Sequence, residues 1–340
     1  MAKTNFKLAT LTQDGTALAA MATGKPERLY PIAELLQLSG GHDIPITIRD
    51  MLEQWERAFA RLSALADRIA MGWEQAEEIV LPRDALNFLA PVQPPGQIFQ
   101  AAANFRSHVW QIECSWRRNN GMSAEEASNA EERAAYDARI DQRVLQDAPY
   151  IFMGNPHSIS GAFDDVVLPA RFGQMPDWEV ELGAIFAGSP RYVRSETALD
   201  YVAGYVVCND VSHRPDRNKP PAFSLGTDWL TMKNSPGFFP TGPYLVPAAF
   251  IDDPMKLQIT MRLNGQIHQD ESTADMIYDL RQLISHLSFA TVVRPGDMLI
   301  TGSPSGNAIH SGRYLQPGDV MEAEVSGLGM QRTHVIQEEF

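Results

Sequence analysis

Cysteine is nearly missing from this 340-residue chain: Cys114 and Cys208 are the only two, in neither CxxC nor zinc-finger spacing. That excludes a disulfide framework and makes the cytoplasm the expected compartment. Positive charge is scarce as well. Lys and Arg number 28 against 42 Asp and Glu, a net charge of −14, which repels phosphate backbones and anionic lipid. No nucleic-acid or membrane partner is therefore expected. Anionic small substrates stay open, because a bound divalent cation reverses the local field. No apolar run approaches the roughly eighteen residues of a membrane span, no apolar core follows Lys3, and no repeat or low-complexity tract occurs. No spanning or targeting segment is expected.

What remains is ordinary soluble composition, with 44% hydrophobic and 21% charged residues. That is enough apolar material for one large or two ordinary domains. Residues 6–11 and 17–23 flank Asp14-Gly15 and read as a hairpin. Residues 46–71 carry Met51, Trp55, Phe59, Leu62, Leu65 and Ile69 at helical spacing, which predicts one long amphipathic helix. The breaker cluster Pro91, Pro94, Pro95 and Gly96 sets a domain boundary, with residues 1–95 before it and 96–340 after. Beyond it, short apolar runs (Val166-Val-Leu168, Gly183-Ala-Ile-Phe186, Tyr205-Val-Val-Cys208, Met298-Leu-Ile300) alternate with turn residues, a β-rich texture. Two helices interrupt it. One opens at a Ser123/Glu126 capping box and runs to about Gln146; the other covers residues 273–289. The expected fold class is α+β, mainly β, with a smaller N-terminal α/β domain.

The sharpest chemistry lies in Asp177-Trp-Glu179-Val-Glu181-Leu182. On a strand, Glu179 and Glu181 project from one face. A bare Glu-x-Glu is usually an exposed polar face, but here the flanks are apolar, and buried carboxylates need a partner such as a hard cation. Asp210, at the end of the apolar run 205–208, is a third oxygen donor. Three carboxylates suit Mg²⁺ or Mn²⁺, with Ca²⁺ a further option, better than zinc.

Glu179-Val-Glu181-Leu182 and Tyr205-Val-Val-Cys-Asn-Asp210-Val-Ser-His-Arg214 resemble the metal-binding core of the fumarylacetoacetate hydrolase family. Lys233 followed by Pro240, Gly242 and Pro243, then Asn264-Gly265, Thr273-Ala-Asp-Met276, Pro295-Gly-Asp297, Thr301-Gly-Ser-Pro304, Pro317-Gly-Asp319 and Gly327-Leu-Gly329 extend the resemblance over residues 98–335. It implies a β-roll catalytic domain, a metal held by Glu179, Glu181 and Asp210, a homodimer, and activity on small keto or diketo acids. Asn104-Phe-Arg-Ser-His108 is similar to the family's Asn-aromatic-x-x-His stretch, which makes His108 the candidate base, and a free pKa near 6.5 suits that role. The other seven histidines are read as structural. Lys233 would neutralise developing negative charge. Arg214 and Arg217 are candidate carboxylate forks, with a structural ion pair the competing reading of Arg214. Ser303 occupies a position where a substrate-touching threonine is common; a plain turn serine is the alternative.

Departures from the family pattern (Gly154, Arg217, Pro236-Gly237, and Gln111 where decarboxylases carry glutamate) surround the substrate rather than the metal. The expected activity is a divalent-metal-dependent hydrolase cleaving a C–C bond in an acylpyruvate or fumarylacetoacetate-like diketo acid. Decarboxylation of a β-keto acid, or keto–enol isomerisation or dehydration, would use the same ligands, and Gln111 favours hydrolysis. A non-catalytic metal-binding scaffold would need neither His108 nor Lys233. The hydrophilic stretch 116–146, just after His108, reads either as a solvated helical insert or as a lid that docks over the site and orders with ligand.

Overall fold

The computed structural model describes residues 4–41, 43–83, 86–170, 175–214 and 228–339. The hairpin forms as expected: Phe6–Gln13 pairs antiparallel with Thr16–Thr23. Asp14 and Gly15 both take positive φ, at 49° and 76°, the geometry that matches the right-handed twist of the flanking strands. Arg28–Pro31 and Asn87–Leu89 complete a four-stranded sheet. The single helix expected over 46–71 is two. Ile48–Leu52 starts at Thr47, whose hydroxyl accepts from the Asp50 N–H. The chain leaves helical geometry at Gln54 (φ −134°, ψ 43°) and resumes as Trp55–Ala70. Met51 and Leu52 from the first helix and Leu62 and Leu65 from the second share one buried core.

The larger part of the chain is built on a sheet whose central strands, Val180–Phe186 and Val202–Asn209, run antiparallel. Every residue of both is buried, which is why they read as near-continuous apolar runs. Their alternating side chains serve two cores. Ile185, Val206 and Cys208 share an apolar cluster with Phe6, Leu8, Leu62 and Leu65 of the N-terminal part. Leu182, Ala184, Tyr205 and Val207 face a cluster with Ile259, Met261, Ala323 and the helix residues Leu280, Leu283, Ile284 and Leu287. Ile98–Ala101 and Met298–Ile300 extend the main sheet on one side and Phe239–Thr241 and Ile159–Gly161 on the other. A five-stranded sheet, including Gln258–Leu263, Val320–Val325 and Gly329–Gln337, covers it. The chain passes from the first sheet to the main one through Pro91–Gly96, and Leu8 and Leu245 exchange backbone hydrogen bonds of 2.9 and 2.8 Å across the two parts. The architecture is α+β with strand prevailing over helix. Among the described residues no helix is long and apolar enough to cross a membrane.

Two further helical expectations are corrected, and one helix was not expected. A helix not foreseen from the sequence, Arg106–Asn119, carries His108 and runs into the insert. The insert itself is not one helix from Ser123: the capping box forms, but the turn it opens ends at Ala127. Asn129 then donates to the Glu126 carbonyl at 3.0 Å and accepts from the Glu132 N–H at 2.9 Å, closing one helix and starting Ala130–Val144. An Asn side chain that satisfies backbone groups in this way competes with helix continuation. The insert docks on the histidine helix through buried Arg117, which bonds Glu113 and Glu132 at 2.9 Å each, and through Trp110 against Tyr136, ring centroids 5.4 Å apart. The helix expected over 273–289 instead begins at Leu280, capped by Asp279 with Gln282.

Candidate metal centre and active site

Strand register assembles the acidic cluster. Val180 pairs with Asn209 and Glu181 with Cys208, so Glu179, one residue before its strand, stands opposite Asp210. Asp210 donates its N–H to the Glu179 carbonyl at 2.8 Å, and the Glu179 N–H is held by Asn209 Oδ1 at 3.0 Å. Glu181 lies two residues on, and its Oε2 accepts from Gly302 N at 2.7 Å. All three carboxylates are buried, and each offers an oxygen within 4.8 Å of the others.

Two cations and a fourth carboxylate complete the cluster. Lys233 Nζ donates to Glu179 Oε2, to Asp210 Oδ2 and to the Asp210 carbonyl. Arg214 donates through Nε to Asp177 at 2.7 Å and through Nη2 to Glu179. Asp177 is fully buried and also takes the N–H groups of Ala308 and Ile309, at 2.6 and 3.2 Å. Four buried carboxylates thus meet two cations, the buried Lys233 and the partly buried Arg214, a deficit of two positive charges if all are ionised. The strain shows in proton affinity. Burial, then the charges of Asp210 and Glu179, push Glu181 well above the usual carboxylate range. Burial also raises Asp210, with Glu179 adding to it and Lys233 opposing. Burial opposes the charge of Glu179 too, but Arg214 and Lys233 outweigh it and hold that group low. Burial likewise disfavours the Lys233 ammonium, yet Asp210 and Glu179 keep it charged, at about 12. A divalent cation on Glu179, Glu181 and Asp210 would supply the missing charge to an all-oxygen donor set, so the residues fit a hard metal.

His108 lies on the first turn of the Arg106–Asn119 helix and is buried. The motif around it is explained by packing. Buried Asn104 donates to the carbonyls of Tyr278 and Thr301 at 3.0 and 2.9 Å and accepts from Tyr278 N at 2.9 Å. Asp275, in the Thr-Ala-Asp-Met stretch, caps the histidine helix by accepting from Ser107 N at 2.8 Å. Burial pushes His108 down to about 4; Glu179 opposes, while Arg214 and Lys233 push the same way. Burial thus favours the neutral imidazole, the form that can accept a proton.

Ser303 is buried, and its hydroxyl accepts from Gln269 Nε2 at 2.8 Å. Gln111 accepts from Gly306 N at 3.0 Å, tying the histidine helix to the loop after Ser303. Arg217 lies outside the described residues. Asp177 opens the acidic motif but was given no role from the sequence, although it stands two positions before Glu179 in the same alternation. Asn307, whose Nδ2 donates to the Trp178 carbonyl at 3.0 Å and to Glu179 Oε1 at 3.5 Å, was missed and carries no local signal.

The residues 97–336 match the model for the fumarylacetoacetate (FAA) hydrolase C-terminal family. The chain is 40% identical over 192 residues to 2,4-didehydro-3-deoxy-L-rhamnonate hydrolase of Sphingomonas sp. (strain SKA58), a match that covers 55% of this chain and 65% of that one. It is 30% identical over 292 residues to the mitochondrial oxaloacetate tautomerase FAHD2A of Bos taurus, covering 84% and 79%. Its fold matches maleylpyruvate hydrolase from Sphingobium sp. SYK-6, solved in complex with manganese (II) ion and pyruvate, at a TM-score of 0.65 and 21% identity over 98% of this chain and 100% of that one. Register, buried carboxylates and sequence match converge: the chain belongs to the fumarylacetoacetate hydrolase family.

Proposed function

We propose that the protein is a divalent-metal-dependent hydrolase that cleaves a C–C bond in a diketo acid of acylpyruvate or fumarylacetoacetate-like type. The observation that carries this is three buried carboxylates that each offer an oxygen within 4.8 Å of the others, with the buried imidazole of His108 in reach of their charge. Glu179, Glu181 and Asp210 would hold Mg²⁺ or Mn²⁺, whose contribution is to bind the keto acid's oxygens and polarise the carbonyl under attack. His108 takes a proton from water as the hydroxide oxygen bonds to that carbonyl carbon. The C–C bond then breaks, its electron pair delocalises into the neighbouring keto group of the substrate, and the imidazolium returns the proton to the carbon released. Lys233, kept charged by Asp210 and Glu179, faces the negative charge that develops. Similarity to a 2,4-didehydro-3-deoxy-L-rhamnonate hydrolase supports this reading.

A second reading is tautomerisation of a 2-oxo acid, favoured by the longer span of similarity to an oxaloacetate tautomerase. The experiment is to incubate the purified, Mg²⁺- or Mn²⁺-loaded protein with an acylpyruvate and with oxaloacetate, with and without EDTA. Stoichiometric pyruvate without CO₂ from the acylpyruvate, abolished by EDTA, supports hydrolysis. Faster enol–keto equilibration of oxaloacetate with no carbon lost and no acylpyruvate cleavage replaces it by tautomerisation. The proposal includes a cytoplasmic homodimer, whose subunit count a solution mass measurement tests.

A further inference from the structure

Asn307 occupies the N-cap of the short helix Ala308–Ser311, yet its side chain makes no capping bond. An asparagine in that place ordinarily accepts from the first N–H groups of its helix. Here Asp177 takes those N–H groups instead, which frees the amide to point elsewhere. Asn307 Nδ2 donates to the Trp178 carbonyl at 3.0 Å, to Ser303 Oγ at 3.3 Å and to Glu179 Oε1 at 3.5 Å. A carbonyl and a carboxylate only accept, so the nitrogen end of the amide is fixed by its partners and the oxygen end follows.

That oxygen is buried without a closed hydrogen bond, and so is Nδ1 of His108. The segments that carry them are tied together, Ser305 N donating to Ser107 Oγ at 3.4 Å and Gly306 N to Gln111 Oε1 at 3.0 Å, and the Asn307 side chain opposes the burial that lowers His108. Among the described residues no carboxylate hydrogen-bonds the His108 ring. The ring is further confined by an edge contact with His310, centroids 5.6 Å apart, and His310 Nδ1 shares a 3.1 Å hydrogen bond with Ser115 of the histidine helix.

We propose that Asn307 is the positioning residue of His108. Its Oδ1 takes up one ring N–H, which fixes the tautomer and leaves the other ring nitrogen as the free base. This deepens, and rests on, the reading of His108 as the base. An amide in this place orients the ring as a carboxylate would, without adding a fifth negative charge to the buried cluster. The same residue ties the ring to Glu179 and Ser303, so base, metal ligand and substrate loop are held by one side chain.

The test is ¹⁵N-histidine NMR of the Mg²⁺-loaded protein, with the His108 signals assigned by their loss in His108→Ala, alongside steady-state kinetics. Wild type should show His108 as one dominant neutral tautomer at neutral pH. Asn307→Ala should give a tautomer mixture and lower kcat about 10-fold or more, within the roughly 10²–10⁴-fold span of general-base catalysis. KM and Mg²⁺ affinity should stay within about twofold, the margin expected when uniform binding is untouched. Asn307→Gln keeps an amide with both its donor and its acceptor and should retain the single tautomer, which covers the case in which the alanine variant folds poorly. An unchanged tautomer and kcat in Asn307→Ala would overturn the assignment. So would a loss of Mg²⁺ affinity that accounts for the whole loss of rate, which would make Asn307 a support for Glu179 only. Full turnover in His108→Ala would fault the base instead, while the tautomer result would still report on Asn307.

Discussion

Asp210 donates its backbone N–H to the carbonyl oxygen of Glu179 at 2.8 Å, and this bond brings carboxylates from two strands to the same end of the sheet. Without a cation between them they repel, and burial amplifies the repulsion. The fold therefore carries an electrostatic load at its centre that a divalent ion would relieve.

That load has a pH signature. Glu181 is raised well above 4.5 by burial and by Asp210 and Glu179, and Asp210 is raised by burial to about 6. For such groups the stabilising contribution is full below their ordinary values and is lost as pH rises through the folded ones. His108, lowered by burial to about 4 from 6.5, contributes stability that is lost as pH falls through that interval. The two tendencies oppose each other below about pH 6.5, so the difference between wild type and Glu181→Gln isolates the carboxylates. In EDTA the Glu181→Gln variant should gain Tm relative to wild type as pH rises, and saturating Mg²⁺ should reverse the order. A difference that does not change with pH would contradict the clustering of charge.

His108→Ala should keep its metal and lose turnover by about 10²–10⁴-fold, the usual contribution of a positioned base. Calorimetric metal titration beside steady-state rates separates the two. Equal losses in both would make His108 a ligand or a packing residue.

The insert 116–146 meets the histidine helix through Arg117 and the Trp110–Tyr136 contact, and within Ala130–Val144 only Ile140 is buried. So thin an apolar face should open readily in the free protein. Hydrogen exchange across Trp116 to Gln146 should slow when oxalate and Mg²⁺ are added together. Strong, unchanged protection in both states would make the segment a fixed support rather than a lid.

What could be read from the sequence followed from how local each determinant is. Glu179, Glu181 and Asp210 come together through two adjacent antiparallel strands, so a buried Glu-x-Glu and an Asp ending the next apolar run were enough to group them. The hairpin was equally legible, because its turn chemistry lies between the strands it joins. Helix limits were not. The apolar spacing of residues 46–71 continues across Gln54, and nothing in periodicity alone reports a change of axis there. The helix bearing His108 has no cap of its own: Phe105 makes no side-chain cap bond, and the carboxylate that starts it is Asp275, far along the chain. Asn307 was invisible for the same reason. In sequence it is a polar residue after a Ser-Gly turn, and its importance comes from Trp178, Glu179 and His108, each distant in the chain.

The central claim is that Glu179, Glu181 and Asp210 hold one divalent cation, and direct titration of Mg²⁺ or Mn²⁺ into metal-stripped wild type and Glu181→Ala tests it most directly. One ion per chain should bind wild type. Glu181→Ala should bind none over the same range while near-UV circular dichroism shows the fold intact. Unchanged binding in Glu181→Ala would contradict the assignment of the site.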